Sequence, residues 1–200
     1  MSEDPRRHAP ATERNRVPIL DVLARVLPPS GLVLEIASGT GQHAAWLSER
    51  LPGRVFQPSD LDASALAGID AWCAGSGGEV RPAVRLDVCA EEWPVERADA
   101  VLCINMVHIS PWEATMALLR GAARVLPATG ILYLYGPYKR EGRHTAPSNE
   151  AFDASLRERD PAWGVRDLEE VTAAAEAVGF RLREIVQMPA NNLSVVLERG

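Results

Sequence analysis

Apolar residues recur at Val17, Ile19, Leu20, Leu23, Val26 and Leu27, the spacing of a helix with one buried face over residues 13–27. Pro28-Pro29-Ser30-Gly31 stops that helix. A continuous apolar run over 32–37, bounded by Gly31 and Gly39, predicts a strand buried on both faces, and the stretch after Gly41, through Ala44, Ala45 and Leu47, predicts a helix. The alternation then repeats. Strands are expected at 55–58, 80–86, 98–105 and 130–135, and helices at 63–74, at 111–126 with Pro111 in the first turn, and at 165–178. Residues 137–164 fit neither period: they are polar, rich in Gly, Pro, Asn and His, and are expected to form an inserted lid. The last two runs, 181–187 and 193–197, are separated only by MPANN, too short for a crossover helix, so they must pair antiparallel. The pattern therefore predicts a doubly wound α/β domain: a mostly parallel sheet of about seven strands, closed by an antiparallel hairpin.

Composition narrows this picture. A chain of 200 residues with 46% hydrophobic content is expected to form one domain spanning 1–200. A net charge of −6 opposes phosphate backbones and anionic lipid, so nucleic acid is a disfavoured partner. The polar start MSEDPRRHAPATERNR has no apolar core region, and no window reaches the ~20 apolar residues of a membrane span, so a cytoplasmic location is expected. Cys73, Cys89 and Cys103 have neither a CxxC spacing nor a nearby His pair, which suggests neither a disulfide framework nor a metal site.

Candidate chemistry is concentrated in VLEIASGTGQH. Gly39 and Gly41 leave room for a ligand to approach the backbone at the start of a helix, although Gly39-x-Gly41-x-x-Ala44 also satisfies a relaxed dinucleotide fingerprint. Asp60 follows Gly41 by about the ~20 residues at which a carboxylate at the end of the second strand meets ribose hydroxyls. Its alternative role is to cap the helix near Ala63, which Asp62 could do as well; Asp60 is assigned to ribose and Asp62 to the cap. Glu35 is a charge inside an apolar strand, costly to bury unless paired, and is expected to bind a cationic group.

These residues resemble the class I S-adenosylmethionine (SAM)-dependent methyltransferases, Rossmann-like enzymes whose first motif is an acidic residue two positions before a glycine-rich turn, here Glu35 and Ala37-x-Gly39-x-Gly41. Leu86-Asp87-Val88 matches the later acidic motif near adenine, and Asn105-Met106-Val107-His108 matches the end of the fourth strand, where methyl transfer occurs. RHAPATERNRVPIL, GPYKREGRHTAPSNEAFD, DPAWGVRDLEEV and MPANNLSVV are more narrowly similar to the DUF938 branch. The resemblance implies SAM as cofactor, held by Arg14, Glu35, Ala37, Gly39, Gly41, Asp60 with Leu61, Asp87, Val88 and Asn105, and no metal. It also implies a small-molecule methyl acceptor; a homo-oligomer remains open. Ala37 departs from the family, where many members have glycine.

On the acceptor side His108 is either a general base or a structural residue. Tyr138, Asn149, Phe152 and Asp153 form either a lid over the acceptor or an ordinary polar loop, and Arg14 belongs either to an N-terminal segment folded over the cleft or to a solvated helix start. Two rival functions are a non-catalytic SAM-binding or interaction protein and a nicotinamide-dependent oxidoreductase, the latter opposed by the terminal hairpin.

Overall fold

The computed structural model describes residues 4–200. Its elements are α1 (Pro10–Val26), β1 (Gly31–Ile36), α2 (Gln42–Ser48), β2 (Arg54–Asp60), α3 (Leu66–Cys73), β3 (Val84–Arg85), β4 (Ala100–Ile104), α4 (Trp112–Val125) and β5 (Ile131–Pro137). There follow β6 (Lys139–Arg140), β7 (Arg143–His144), α5 (Pro147–Arg159), α6 (Leu168–Ala177), β8 (Phe180–Met188) and β9 (Asn192–Arg199). The main sheet runs β3-β2-β1-β4-β5-β9-β8, with β3 to β5 parallel and β9 antiparallel to both β5 and β8. This is the expected doubly wound α/β sheet with its closing hairpin.

Alternation along the strands divides the core into two layers. Leu34, Ile36, Val101, Cys103, Leu132 and Leu134 pack with Leu118 of α4 and Val171 of α6. Val33, Phe56, Ala100, Leu102 and Tyr133 pack on the opposite face with Ile19 and Leu23 of α1 and Leu47 of α2. Burial on both faces explains why these strands read as unbroken apolar runs. Strand order reverses between β1 and β4, and at such a switch point the loops leaving the two carboxyl ends diverge and open a crevice.

Three expectations need correction. The third strand is only two residues long, preceded by an isolated bridge from Val80 to Phe56, because Pro82 cannot donate to a ladder. Pro111 precedes α4 as its cap residue rather than lying in its first turn. The segment after β5 is not a loop: it folds into the β6–β7 hairpin and the 13-residue helix α5. One stripe of α5, Asn149, Asp153 and Leu156, is buried, so the helix has a buried face made chiefly of polar residues. Among the described residues no helix is long and apolar enough to cross a membrane, and no cluster of three or more His, Cys, Asp or Glu could hold a metal.

Candidate active site

β1 ends in Glu35-Ile36 and turns through Ala37, Ser38 and Gly39 into α2. Ala37 has φ +53° and Gly39 φ +59°, both in the left-handed region. Only Gly39 occupies it without steric cost, so Ala37 holds a mildly strained turn. A methyl group on Gly39 would meet nothing closer than the Ala37 carbonyl at 4.0 Å, leaving that side of the turn open to a ligand. Gly41 differs from its expected role: at φ +82° its added methyl would lie 2.8 Å from the Ile69 Cα, so this glycine permits contact between α2 and α3, and it does not line the cleft.

Asp60 closes the turn from below. Its Oδ2 accepts from the Gly39 N–H at 2.9 Å and its Oδ1 from the Asp62 N–H at 3.0 Å. Asp62 caps the 3-10 turn Ala63–Ala65, accepting from the Ser64 N–H at 2.8 Å. Beside them a cavity of about 450 Å³ is lined by Glu35, Ala37, Gly39, Asp60, His43 and Asn105, among others. Glu35 is only 2% exposed, and its Oε2 has no hydrogen-bond partner. Burial pushes its carboxyl up to about 7; the Ser38 hydroxyl counters this and the Asp60 charge adds to it.

Two further hollows adjoin this cavity. The first, about 530 Å³ and mostly apolar, shares Ala37 and Ile109 with it and holds Leu61, Leu86, Asp87 and Val88. The second, also about 530 Å³, shares Asn15, Asn105 and Ile109 with the centre and extends over Arg14, Tyr135, Phe152 and the β8–β9 turn. Asn105 stands at the junction in the left-handed conformation, φ +66°. Glu35, Ala37, Gly39, Asp60 and Asn105 thus line the central cavity and Leu61, Asp87 and Val88 the first hollow, whereas Arg14, expected among the cofactor-binding residues, lines only the second hollow.

The expected catalytic residues are mostly elsewhere. His108 is fully buried; its Nδ1 accepts from the Arg166 N–H at 3.3 Å, its ring packs edge-on against Tyr138, and it lines none of the three hollows. Burial lowers its basicity to about 3, so at neutral pH it is an uncharged packing residue. Tyr138 is buried in the core layer against α4 and α6. Asp153 is a structural hub: Oδ1 accepts from the Val165 N–H at 2.7 Å, and Oδ2 meets Lys139, His144 and Arg157 at 3.4, 3.4 and 3.2 Å. Asn149 lines the second hollow, but its Nδ2 donates to the Thr145 hydroxyl and to the Asn191 carbonyl, pinning α5 to the hairpin turn. That turn explains the asparagine pair, since Asn191 has φ +57°.

The cleft also contains residues to which the sequence assigned no role. Asn15 is buried on α1, its Oδ1 accepts from His43 Nε2–H at 2.9 Å, and it lines both the central and second hollows. Residues 4–9 lie across α3: Trp72 Nε1 donates to the Arg7 carbonyl at 2.8 Å, His8 packs edge-on against that ring, and the Ala9 N–H donates to Gln42 Oε1 at 2.6 Å. The strap brings Arg7 to the central cavity. Gly68 was the available signal, because a methyl there would meet the Pro5 carbonyl at 2.8 Å.

This architecture is a Rossmann-like, methyltransferase-like fold. The SAH-bound methyltransferase CalO1 of calicheamicin biosynthesis superposes with a TM-score of 0.74 at 23% identity, over 92% of this chain and 54% of that one. An O-methyltransferase family protein from Burkholderia thailandensis gives 0.78 at 17%, covering 92% and 56%. An O-methyltransferase family 2 protein from Planctomyces limnophilus, in complex with apigenin, gives 0.76 at 16%, covering 93% and 56%. The chain spans a little over half the length of each. More narrowly, the chain belongs to the family described as protein of unknown function (DUF938), whose model matches residues 6–199.

Proposed function

We propose that the protein is a SAM-dependent methyltransferase acting on a small-molecule acceptor. The observation that carries the reading is Glu35, a buried carboxylate with an unpartnered Oε2, in the wall of the cavity beside an open Gly39 turn. An uncompensated buried carboxylate is costly, and a cationic ligand group at that atom removes the cost. The fit extends along the cleft: Glu35 would hold the cofactor's ammonium group, Gly39 and Asp60 the ribose side, and the apolar slot of Leu61, Leu86 and Val88 with Asp87 the adenine. CalO1 was solved with SAH bound, in agreement with this assignment. When bound, SAM supplies a methyl group made electrophilic by its sulfonium.

The chain's own contribution is alignment and exclusion of water. Asn15, Asn105 and Ile109 lie where the central cavity meets the second hollow, which in this reading is the acceptor hollow, and would orient the acceptor there. Among the described residues lining that passage and the acceptor hollow, none is a base suited to neutral pH. In the central cavity beside the passage, His43 is lowered to about 4 by burial and the nearby Arg16, and Glu35 would be taken by the cofactor's ammonium, while in the acceptor hollow burial raises Tyr135 above its ordinary value. The acceptor nucleophile must therefore be ionised or intrinsically reactive on arrival, as an acidic phenol, a thiolate, a carboxylate or an aromatic amine is.

The test is release of SAH from SAM by the purified chain against a panel of phenols, thiols, carboxylic acids and amines. Acceptor-dependent SAH formation with at least one class is expected. SAM binding without turnover on any class would favour a non-catalytic SAM-binding protein.

A further inference from the structure

The acceptor hollow differs in charge from the cofactor cavity beside it. Among the described residues the central cavity is lined by three carboxylates, Glu35, Asp60 and Asp62, and by one cation, Arg7. The acceptor hollow has no carboxylate among its described lining residues, and Arg14 is the residue there that is charged at neutral pH. Among its other polar groups, Asn149 and Asn192 direct their amide N–H groups to Thr145 and to the carbonyls of the hairpin turn. Asn15 is bonded to His43. Arg14 makes no ion pair among the described residues. The rest of the wall is apolar, with Phe152, Ile109, Pro137 and Pro189.

We propose that the acceptor is a small molecule with an apolar or aromatic body and a carboxylate, and that Arg14 selects it by pairing with that carboxylate. The inference rests on the methyltransferase reading of the same cleft. A net charge of −6 opposes anions at long range, so an anionic acceptor needs a local cation to hold it. A guanidinium engages a carboxylate through two parallel N–H donors, which fixes orientation as well as charge. One guanidinium balances one negative charge, which favours a carboxylate over a phosphate monoester carrying about −1.5 to −2. Arg14 lines the acceptor hollow but not the central cavity, so it grips the end of the molecule distal to the reacting atom, which lies at the Asn15–Asn105 passage.

The test is calorimetry on the full chain saturated with SAH, titrating substituted benzoates and cinnamates, each beside its neutral amide. At least one carboxylate should bind about tenfold or more tighter than its amide. That preference should fall to about threefold or less in Arg14→Gln, while Arg14→Lys retains part of it, since an ammonium keeps the charge but not the fork. Amides binding as well as acids, a preference surviving in Arg14→Gln, or no binding by any member of the panel would overturn the proposal. Titrations of SAH alone, and of the panel without SAH, separate the two readings. Absence of SAH binding refutes the methyltransferase reading, whereas the Arg14-dependent preference stands or fails on the panel itself.

Discussion

Replacing Glu35 by glutamine keeps the side chain's size and removes its charge, and the structure sets opposite signs for the two consequences. Burial raises the carboxyl from 4.5 to about 7, so the folded state holds its proton more tightly than the unfolded chain does. The stabilising contribution of the protonated form is complete below pH 4.5 and is lost as pH rises through 7. At roughly 1.4 kcal/mol per pH unit of displacement, about 3 kcal/mol separates the two limits. Glutamine does not titrate, so at pH 8 Glu35→Gln should be the more stable protein without ligand, by up to about 3 kcal/mol less the cost of its own amide N–H. For a chain of this size that is roughly 5–10 °C in Tm, while near pH 5 the two proteins should melt within about 2 °C of one another. SAH should reverse the order at pH 8, because the variant loses a charged partner for the ligand's ammonium and with it about 10- to 100-fold in affinity. Thermal melts from pH 5 to 8, with and without SAH, read both effects. Parallel pH profiles, or equal stabilisation of both proteins by SAH, would refute the reasoning.

Other outcomes follow from the same geometry. Gly41→Ala should cost about 1–3 kcal/mol of stability through its clash with Ile69, whereas Gly39→Ala should cost about 1 kcal/mol and mainly weaken SAH binding; melts and calorimetry on the pair distinguish the two glycines. Asp60→Ala should lower both stability and SAH affinity by about 1–3 kcal/mol, since Asp60 holds the Gly39 and Asp62 backbone N–H groups as well as lining the cavity. Asp153→Ala leaves Lys139, His144 and Arg157 without their shared partner and should cost about 3 kcal/mol, with SAH affinity in the surviving folded protein within about twofold of the parent.

Legibility in the sequence followed the source of each element's stability. The strands of the central sheet were readable because burial on both faces leaves no polar positions, and the closing hairpin because MPANN cannot accommodate a crossover. Helix α5 was not readable by hydrophobic period, because two of its three buried positions are Asn149 and Asp153, fixed by hydrogen bonds and ion pairs instead. Its end signals were nevertheless present, with Pro147 at the first position, Glu150 in the first turn and Arg157 and Arg159 in the last. The placement of Glu35, Gly39 and Asp60 around the central cavity was legible since that cavity is built on the turns after β1 and β2, where spacing along the chain fixes position in space. The second hollow was not, because it joins α1, α5 and the β8–β9 turn, and their meeting is decided by tertiary packing. His108 shows the same limit: its place after β4 was read correctly, but its side chain turns inward against Tyr138, a direction that sequence position does not encode.

The central claim is that the cleft beneath the Gly39 turn is a SAM site, and the most direct measurement is calorimetric titration of SAH and of NAD into the full chain at pH 8. The account predicts saturable binding of one SAH per chain, no heat with NAD, and a loss of about tenfold or more in SAH affinity in Glu35→Gln. Saturable NAD binding with no response to SAH, or SAH binding indifferent to Glu35, would contradict it.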